Sequence, residues 1–117
     1  MSDQFWIKES DMALPTAVLK IGGRLGAKPA KQLRIFCESL RDKGFRHLVV
    51  DMSEISFIAS SGVGALIVMT GEFSIKGGSV RFVSLSPSVR RVIRLLNLDR
   101  FITIDASEEA ALAKIKD

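Results

Sequence analysis

Apolar and polar residues alternate along this chain with two periods, one typical of strands and one typical of helices. Helical spacing of three and four residues is shown by Leu33, Phe36, Cys37 and Leu40, with mostly polar residues between them. Short β-rich runs bounded by turn residues predict the strands. The predicted strands are 5–8, 16–21, 45–50, 79–84 and 101–104, and the predicted helices are about 29–43, 61–76 and 87–97, with a terminal helix after 107.

This order, β-β-α-β-α-β-α-β-α, is typical of an α/β fold. An antiparallel hairpin opens the chain and each later strand follows a helix, so right-handed crossovers are expected to arrange most of the sheet in parallel. We expect one domain, 1–117, because no linker, repeat or low-complexity segment divides the 117 residues. Gly22 and Gly23 are expected to end the second strand, and residues 52–57 are expected to form a connector.

The third helix has the clearest terminal signals. Ser86 is a predicted N-cap, followed by Pro87 at the first helical position, and Asn97 is a predicted C-cap. Ser107 is likewise predicted to cap the last helix. The predicted buried face of the third helix consists of Val89, Val92, Ile93 and Leu96, and the opposite face carries Arg90, Arg91 and Arg94.

The stretch with the most distinctive chemistry is 58–64, Ile-Ala-Ser-Ser-Gly-Val-Gly, which leads from an apolar run into a helix. Ser60 or Ser61 stands where an N-cap is expected, because serine can accept a hydrogen bond from a backbone N–H of the first turn. Gly62 and Gly64 remove side chains and let another surface approach the backbone closely. Three interpretations remain open for this turn: a helix cap, an anion-binding site, or a hydroxyl that receives a phosphate.

Composition and charge argue against several classes of function. The formal charge of +4 is spread along the chain and aromatic residues are few, which disfavours direct nucleic-acid binding. No apolar run reaches about 18 residues, so no membrane insertion is expected. The polar start, residues 1–4, lacks the features of a signal peptide, and one cysteine, Cys37, excludes an internal disulfide. We therefore expect a cytoplasmic protein.

Catalysis finds little support in the sequence. Neither a GxxxxGK[ST] nor a GxGxxG motif is present, and the glycines after Ser61 lack the phosphate-binding lysine. His47 lies near the start of the strand whose far end leads to Ser60, so the two are expected at opposite edges of the sheet. Asp3, Asp51 and Glu54 form no recognisable metal or acid–base pair. The expectation is a protein that is not an enzyme, with no catalytic residues, no metal and no cofactor.

A family resemblance is carried by five segments, which are Leu48–Ser53, Phe57–Leu66, Gly77–Val83, Ser86–Val92 and Leu96–Phe101. In this order they resemble the STAS domain family, which includes the bacterial anti-sigma factor antagonists, and the resemblance covers about residues 5–115. It implies a small mixed β-sheet backed by helices.

In the antagonists of this family, the first serine of an Asp-Ser-Ser/Thr-Gly turn is phosphorylated by a partner serine kinase that is also the anti-sigma factor. The unphosphorylated antagonist binds that kinase, and the phosphorylated form does not. The resemblance implies that Ser60 is the phosphoacceptor, with Ser61 as the second choice, and that a GHKL-type anti-sigma kinase and a serine phosphatase are the partners. The implied partner-binding residues are Arg24, Leu25, Ile58, Ala59, Ser60, Ser61, Gly62, Val63, Gly64 and Ser86.

Two positions depart from the family's pattern. Ala59 stands where the classical antagonists carry Asp, and Arg24-Leu25-Gly26 replaces a more acidic Glu-Leu-Asp type of turn. Both changes remove negative charge near the implied interface. An alternative therefore stays open, namely a STAS interaction subunit that is not phosphorylated and docks, for example, on the ATPase of a lipid-transport complex.

Overall fold

The computed structural model describes residues 4–115, so residues 1–3, including Asp3, and residues 116–117 lie outside the description. The part of the localisation prediction that concerns residues 1–4 lies mostly outside the described residues. The strands are β1 (Trp6–Ala13), β2 (Thr16–Leu25), β3 (His47–Ile58), β4 (Ser79–Val83) and β5 (Thr103–Asp105), and the helices are α1 (Ala27–Asp42), α2 (Ser60–Ile75), α3 (Pro87–Leu96) and α4 (Glu108–Lys114), with a 3₁₀ turn at Leu98–Arg100. The predicted element order and fold class are confirmed.

The strands form one sheet in the order β1-β2-β3-β4-β5. β1 pairs antiparallel with β2, and the other neighbouring strands pair in parallel, as the alternation of strands and helices predicts. Because the carboxyl ends of parallel strands meet at one edge of a sheet, β2, β3 and β4 deliver the chain to α1, α2 and α3 at that same edge. The predicted hairpin and the mostly parallel sheet are confirmed.

The period of two along the central strands divides the buried residues between the two faces of the sheet. Leu48 and Val50 join the main core with α1, α2 and α3, whereas Val49 between them belongs to a smaller cluster with Ala111 of α4. The predicted apolar face of α1 is buried, with Leu33, Cys37 and Leu40 nearly inaccessible to solvent. Helices therefore cover both faces of the sheet.

The predicted ends of three strands were wrong. Gly22 and Gly23 lie within β2, which continues to Leu25, and a Cβ at Gly22 would run into the indole ring of Trp6 on β1. Here glycine makes room for a side chain of the neighbouring strand and does not end its own. The extension of β2 gives residues 52–57 a partner, so the predicted connector is the second half of β3. β1 likewise reaches Ala13 by pairing with the start of β2.

The predicted helix caps at Ser86, Asn97 and Ser107 are confirmed. The Ser86 hydroxyl accepts a hydrogen bond from the Val89 N–H at 3.3 Å, and the Ser107 hydroxyl accepts one from the Ala110 N–H at 3.1 Å. Asn97 adopts the left-handed conformation, with φ 58° and ψ 39°. These caps fix the first turns of α3 and α4 and the end of α3.

Two predictions near the end of α3 were wrong. Leu96 was expected on the buried face, but its exposed fraction is 55%. The chain leaves α3 through Asn97 into the 3₁₀ turn, whose Leu98 packs in the core instead. That turn delays the last strand, which begins at Thr103 and not at Phe101. Separately, no helix in the described part of the chain is both long and apolar enough to span a membrane.

Candidate functional site

The turn that carries Ser60 is tied to the end of the neighbouring strand. Leu25, the last residue of β2, pairs with Ile58, the last residue of β3. Immediately after it, the Ala59 N–H donates to the Leu25 carbonyl oxygen at 3.1 Å. The start of α2 is therefore held against β2 by a backbone hydrogen bond and does not lie on a free loop.

The predicted serine cap of α2 is wrong. The N-cap is Ala59, in extended conformation with φ −87° and ψ 170°, and Ser60 and Ser61 are the first two residues of the helix. The first turn closes through the backbone, since the Val63 N–H donates to the Ala59 carbonyl at 3.0 Å. Within residues 4–115 neither serine hydroxyl caps the helix, and both side chains are exposed. The hydroxyls are thus available to another molecule.

The glycines on either side of Val63 have different roles. A Cβ at Gly62 would lie 2.6 Å from the Leu25 carbonyl oxygen and 2.9 Å from Cγ1 of Ile58, so glycine permits the close packing of α2 on β2. A Cβ at Gly64 would meet nothing within 4 Å. Gly62 therefore holds the turn in place, and Gly64 leaves open space next to the serines.

A cation is held beside the serine turn by an aromatic ring. Arg24 and Phe57 are paired across β2 and β3, and the Arg24 guanidinium carbon lies 4.2 Å from the centroid of the Phe57 ring. This is a cation–π contact, which orients the guanidinium without neutralising it. Arg24 is exposed, and Phe57 retains 38% of its accessible surface.

A groove of 300 Å³ separates the end of β3 from the start of α3. Its walls are Ser56, Phe57 and Ile58 on β3 and Pro87, Ser88, Arg91 and Val92 on α3. The Ser86 N–H donates to the Met52 carbonyl at 3.3 Å and so fastens the start of α3 to β3. The groove and the exposed serines thus belong to the same edge of the sheet.

The residues proposed from the sequence for partner binding fall into three groups. Arg24, Ser60 and Ser61 are exposed, and Ala59 and Gly64 are half-buried. The third group is buried, so its side chains stabilise the edge of the sheet and offer no surface to a partner. It consists of Leu25, Ile58, Gly62, Val63 and Ser86.

Sequence reasoning missed Phe57 and Ser88 as neighbours of the turn, and it placed Arg91 on an arginine-bearing helix face without linking that face to the turn. Phe57 was assigned to a connector, so its pairing with Arg24 could not be foreseen. The arginines of α3 were visible in the sequence, but the attachment of α3 to β3, which brings Arg91 to the groove, was not.

His47 lies far from the serine turn, and Cys37 is buried. His47 begins the 12-residue β3 and Ser60 follows its end, so the prediction that they lie at opposite edges is confirmed. The His47 Nδ1 atom lies 2.8 Å from the Ser79 hydroxyl. Burial, with a smaller contribution from the charge of Glu72, raises the pKa of the Cys37 thiol to about 12. Among the described residues, no group of three His, Cys, Asp or Glu side chains is placed to hold a metal ion.

Comparison with known proteins identifies the family. The STAS domain model matches residues 8–111. A putative anti-sigma factor antagonist, BtrV, of Bordetella bronchiseptica is 27% identical over 94 residues, which cover 80% of this chain and 81% of the relative.

Solved structures show the same fold. The crystal structure of an anti-sigma factor antagonist from Mycobacterium paratuberculosis superposes with a TM-score of 0.84 at 23% identity and covers 100% of both chains. The phosphorylated form of SpoIIAA, a Bacillus cell fate determinant, superposes with a TM-score of 0.72 at 21% identity, over 95% of this chain and 100% of that one. With the family model matching nearly the whole chain, the protein belongs to the STAS domain family.

Proposed function

We propose that this protein is an anti-sigma factor antagonist that regulates transcription by partner switching. In its unmodified form it binds a GHKL-type anti-sigma serine kinase through the edge of the sheet that carries Ser60, and it is released when Ser60 is phosphorylated. The observation that carries this proposal is the exposed Ser60 side chain, which starts a 16-residue helix without serving as its cap.

Phosphorylation at Ser60 fits the physical setting of that residue. A phosphoserine carries about −1.5 to −2 charges at neutral pH, and the amino end of a helix favours negative charge. In the described structure, the first turn of α2 contains no acidic residue that would oppose it. The free protein can therefore accept the phosphate at little cost, whereas a docked partner would have to desolvate it.

The comparisons support the proposal from a second direction. The relative in Bordetella bronchiseptica is named a putative anti-sigma factor antagonist, and SpoIIAA, which shares the fold, is known in a phosphorylated form. By analogy, we propose a cytoplasmic protein whose phosphate is removed by a serine phosphatase. Its own role requires docking and not catalysis.

The test is to incubate the protein with ATP and a GHKL-type anti-sigma serine kinase from the same organism, and to measure intact mass. We expect one added phosphate on the wild type and on Ser61→Ala, and none on Ser60→Ala. Addition to Ser60→Ala but not to Ser61→Ala would move the site by one residue. Absence of phosphate from the wild type would contradict the switching mechanism.

A second candidate function is favoured by one observation. Ala59, where the classical antagonists carry Asp, is the half-buried N-cap of α2 and presents no charge to a kinase. A STAS subunit that is not phosphorylated, docked for example on the ATPase of a lipid-transport complex, needs no such charge. Affinity purification that recovers a transporter ATPase and no anti-sigma kinase would favour this candidate.

A further inference from the structure

The edge of the sheet that carries Ser60 has a positive electrostatic character from its backbone alone. α1, α2 and α3 have 16, 16 and 10 residues and all begin at this edge. Each helix N-terminus carries roughly half a positive charge, which falls off within the first turn. In the part of the chain that the structure describes, none of these three first turns contains an acidic residue that would cancel it.

Basic side chains add to the charge of the helix ends. Arg24 lies next to the serine turn, Lys28 is in the first turn of α1, and Arg91 lines the groove; all three are exposed. The carboxylates of β3, Asp51 and Glu54, precede the end of that strand by seven and four residues. The acidic first turn of α4 belongs to the helix on the opposite face of the sheet.

The groove beside Ser60 offers an apolar contact between the basic groups. Phe57, Ile58 and Val92 line it, and Arg91 stands on its α3 wall. Its volume of 300 Å³ is at the low end of the range for small-molecule sites and is large enough for a single projecting side chain. Arginine is among the residue types that often dominate the binding energy of protein–protein interfaces, and aromatic residues including Phe are enriched at interface cores.

We infer that this edge docks on an acidic surface of the anti-sigma kinase, with carboxylates opposite Arg24 and Arg91 and an apolar side chain of the kinase in the groove between β3 and α3. The inference rests on the proposed function and specifies the chemistry of the partner. It follows that the switch is electrostatic. A phosphate on Ser60 adds negative charge where the bound kinase presents carboxylates, and the resulting repulsion opposes docking.

The experiment measures the affinity of the unphosphorylated protein for the same kinase by calorimetry, without ATP. We expect Arg24→Glu and Arg91→Glu each to weaken binding by about tenfold or more, because each change places like charges opposite one another. Val92→Asp, at the groove, should weaken it as well. We also expect binding to weaken as salt is raised from about 50 to 300 mM, which shortens the screening length.

Lys76→Glu is the matched control, since Lys76 is exposed and follows the far end of α2. We expect that change to alter affinity less than about twofold, and circular dichroism should show native folding for every variant compared. Arg24→Lys keeps the charge and should retain most of the affinity even if the contact with Phe57 is weakened.

The outcomes separate the two proposals. If the wild type does not bind the kinase at all, the proposed function fails and the inference fails with it. If the wild type binds but is insensitive to salt and to both charge reversals, or if Lys76→Glu is equally harmful, the inference is overturned while the proposed function stands. If a short single-stranded DNA binds as tightly as the kinase does, the inference is also overturned, because the basic edge would then be a nucleic-acid-binding surface.

Discussion

Replacing Gly62 by alanine is expected to destabilise the turn that presents Ser60, whereas the same change at Gly64 is not. The new methyl group at position 62 would lie 2.6 Å from the Leu25 carbonyl oxygen, 2.9 Å from Cγ1 of Ile58 and 3.0 Å from Cγ of Leu25. Two of these atoms belong to Leu25, which is fully buried. The Leu25 carbonyl is also held in place by the hydrogen bond from the Ala59 N–H. The neighbours therefore have little room to move.

The expected change in the free energy of unfolding follows from two opposing effects. Overpacking a tight interior typically costs about 1–3 kcal/mol. Exchanging glycine for alanine inside a helix returns roughly 1 kcal/mol of helix propensity. For Gly62→Ala the clash is expected to exceed the gain, giving a net loss of up to about 2 kcal/mol. At Gly64 only the gain applies, because a Cβ there meets nothing within 4 Å.

Urea unfolding followed by circular dichroism measures both variants against the wild type. We expect Gly64→Ala to be more stable than Gly62→Ala by about 1–3 kcal/mol, which corresponds to a separation in melting temperature of roughly 5–15 °C in a domain of this size. Equal stabilities for the two variants would refute the claim that α2 packs directly on the end of β2.

Three further predictions concern the rest of the fold. Burial of Asp105 would by itself raise the pKa of its carboxyl, but hydrogen bonds and charges from Lys114 and Arg81 lower it below the usual 3.8. The stability this provides is present above about pH 4 and is lost as the pH falls below that. The free energy of unfolding of Asp105→Asn should therefore vary less than that of the wild type on acidification from about pH 5 to 3, and parallel pH profiles would contradict this. Because burial raises the pKa of the Cys37 thiol to about 12, DTNB at about pH 8 should label this thiol only after the protein is unfolded in guanidinium. Rapid labelling of the native protein would contradict this prediction. Ser86→Ala removes the cap of α3 and should cost about 1 kcal/mol in urea unfolding, whereas an unchanged midpoint would show that the cap contributes nothing.

The element order could be predicted because local patterns and tertiary packing agree. The helical spacing of Leu33, Cys37 and Leu40 corresponds to a face that is buried, and Ser86 and Ser107 cap the helices they were expected to cap. Periodicity and cap chemistry act within a few residues, so they can be read from the sequence without knowing what lies across the sheet.

The boundaries around the site could not be predicted because they depend on distant pairing. β2 continues through its two glycines, and β3 reaches Ile58 only because the extended β2 provides a partner. That pairing moves the start of α2 and makes Ala59 the N-cap, although serine has the stronger intrinsic preference for that position. The contact between Arg24 and Phe57 has the same origin, since it requires a register that shifts twice between β2 and β3.

The interface predicted from family resemblance included residues that prove to be interior. Leu25 and Ser86 are adjacent in the sequence to exposed residues, but their side chains point into the protein. Sequence position identifies which segments meet at this edge of the sheet, whereas only the backbone path determines which of their side chains face solvent. The exposed surface is consequently centred on Arg24, Ser60 and Ser61, with Phe57 and Arg91 beside them.

The most direct test of the account compares the affinity of the anti-sigma kinase for the unmodified protein and for the same protein carrying one phosphate on Ser60. We expect phosphorylation to weaken binding by at least about tenfold, or about 1.4 kcal/mol, with circular dichroism unchanged. Equal affinity of the two forms would contradict the claim that charge placed on Ser60 controls which partner can dock.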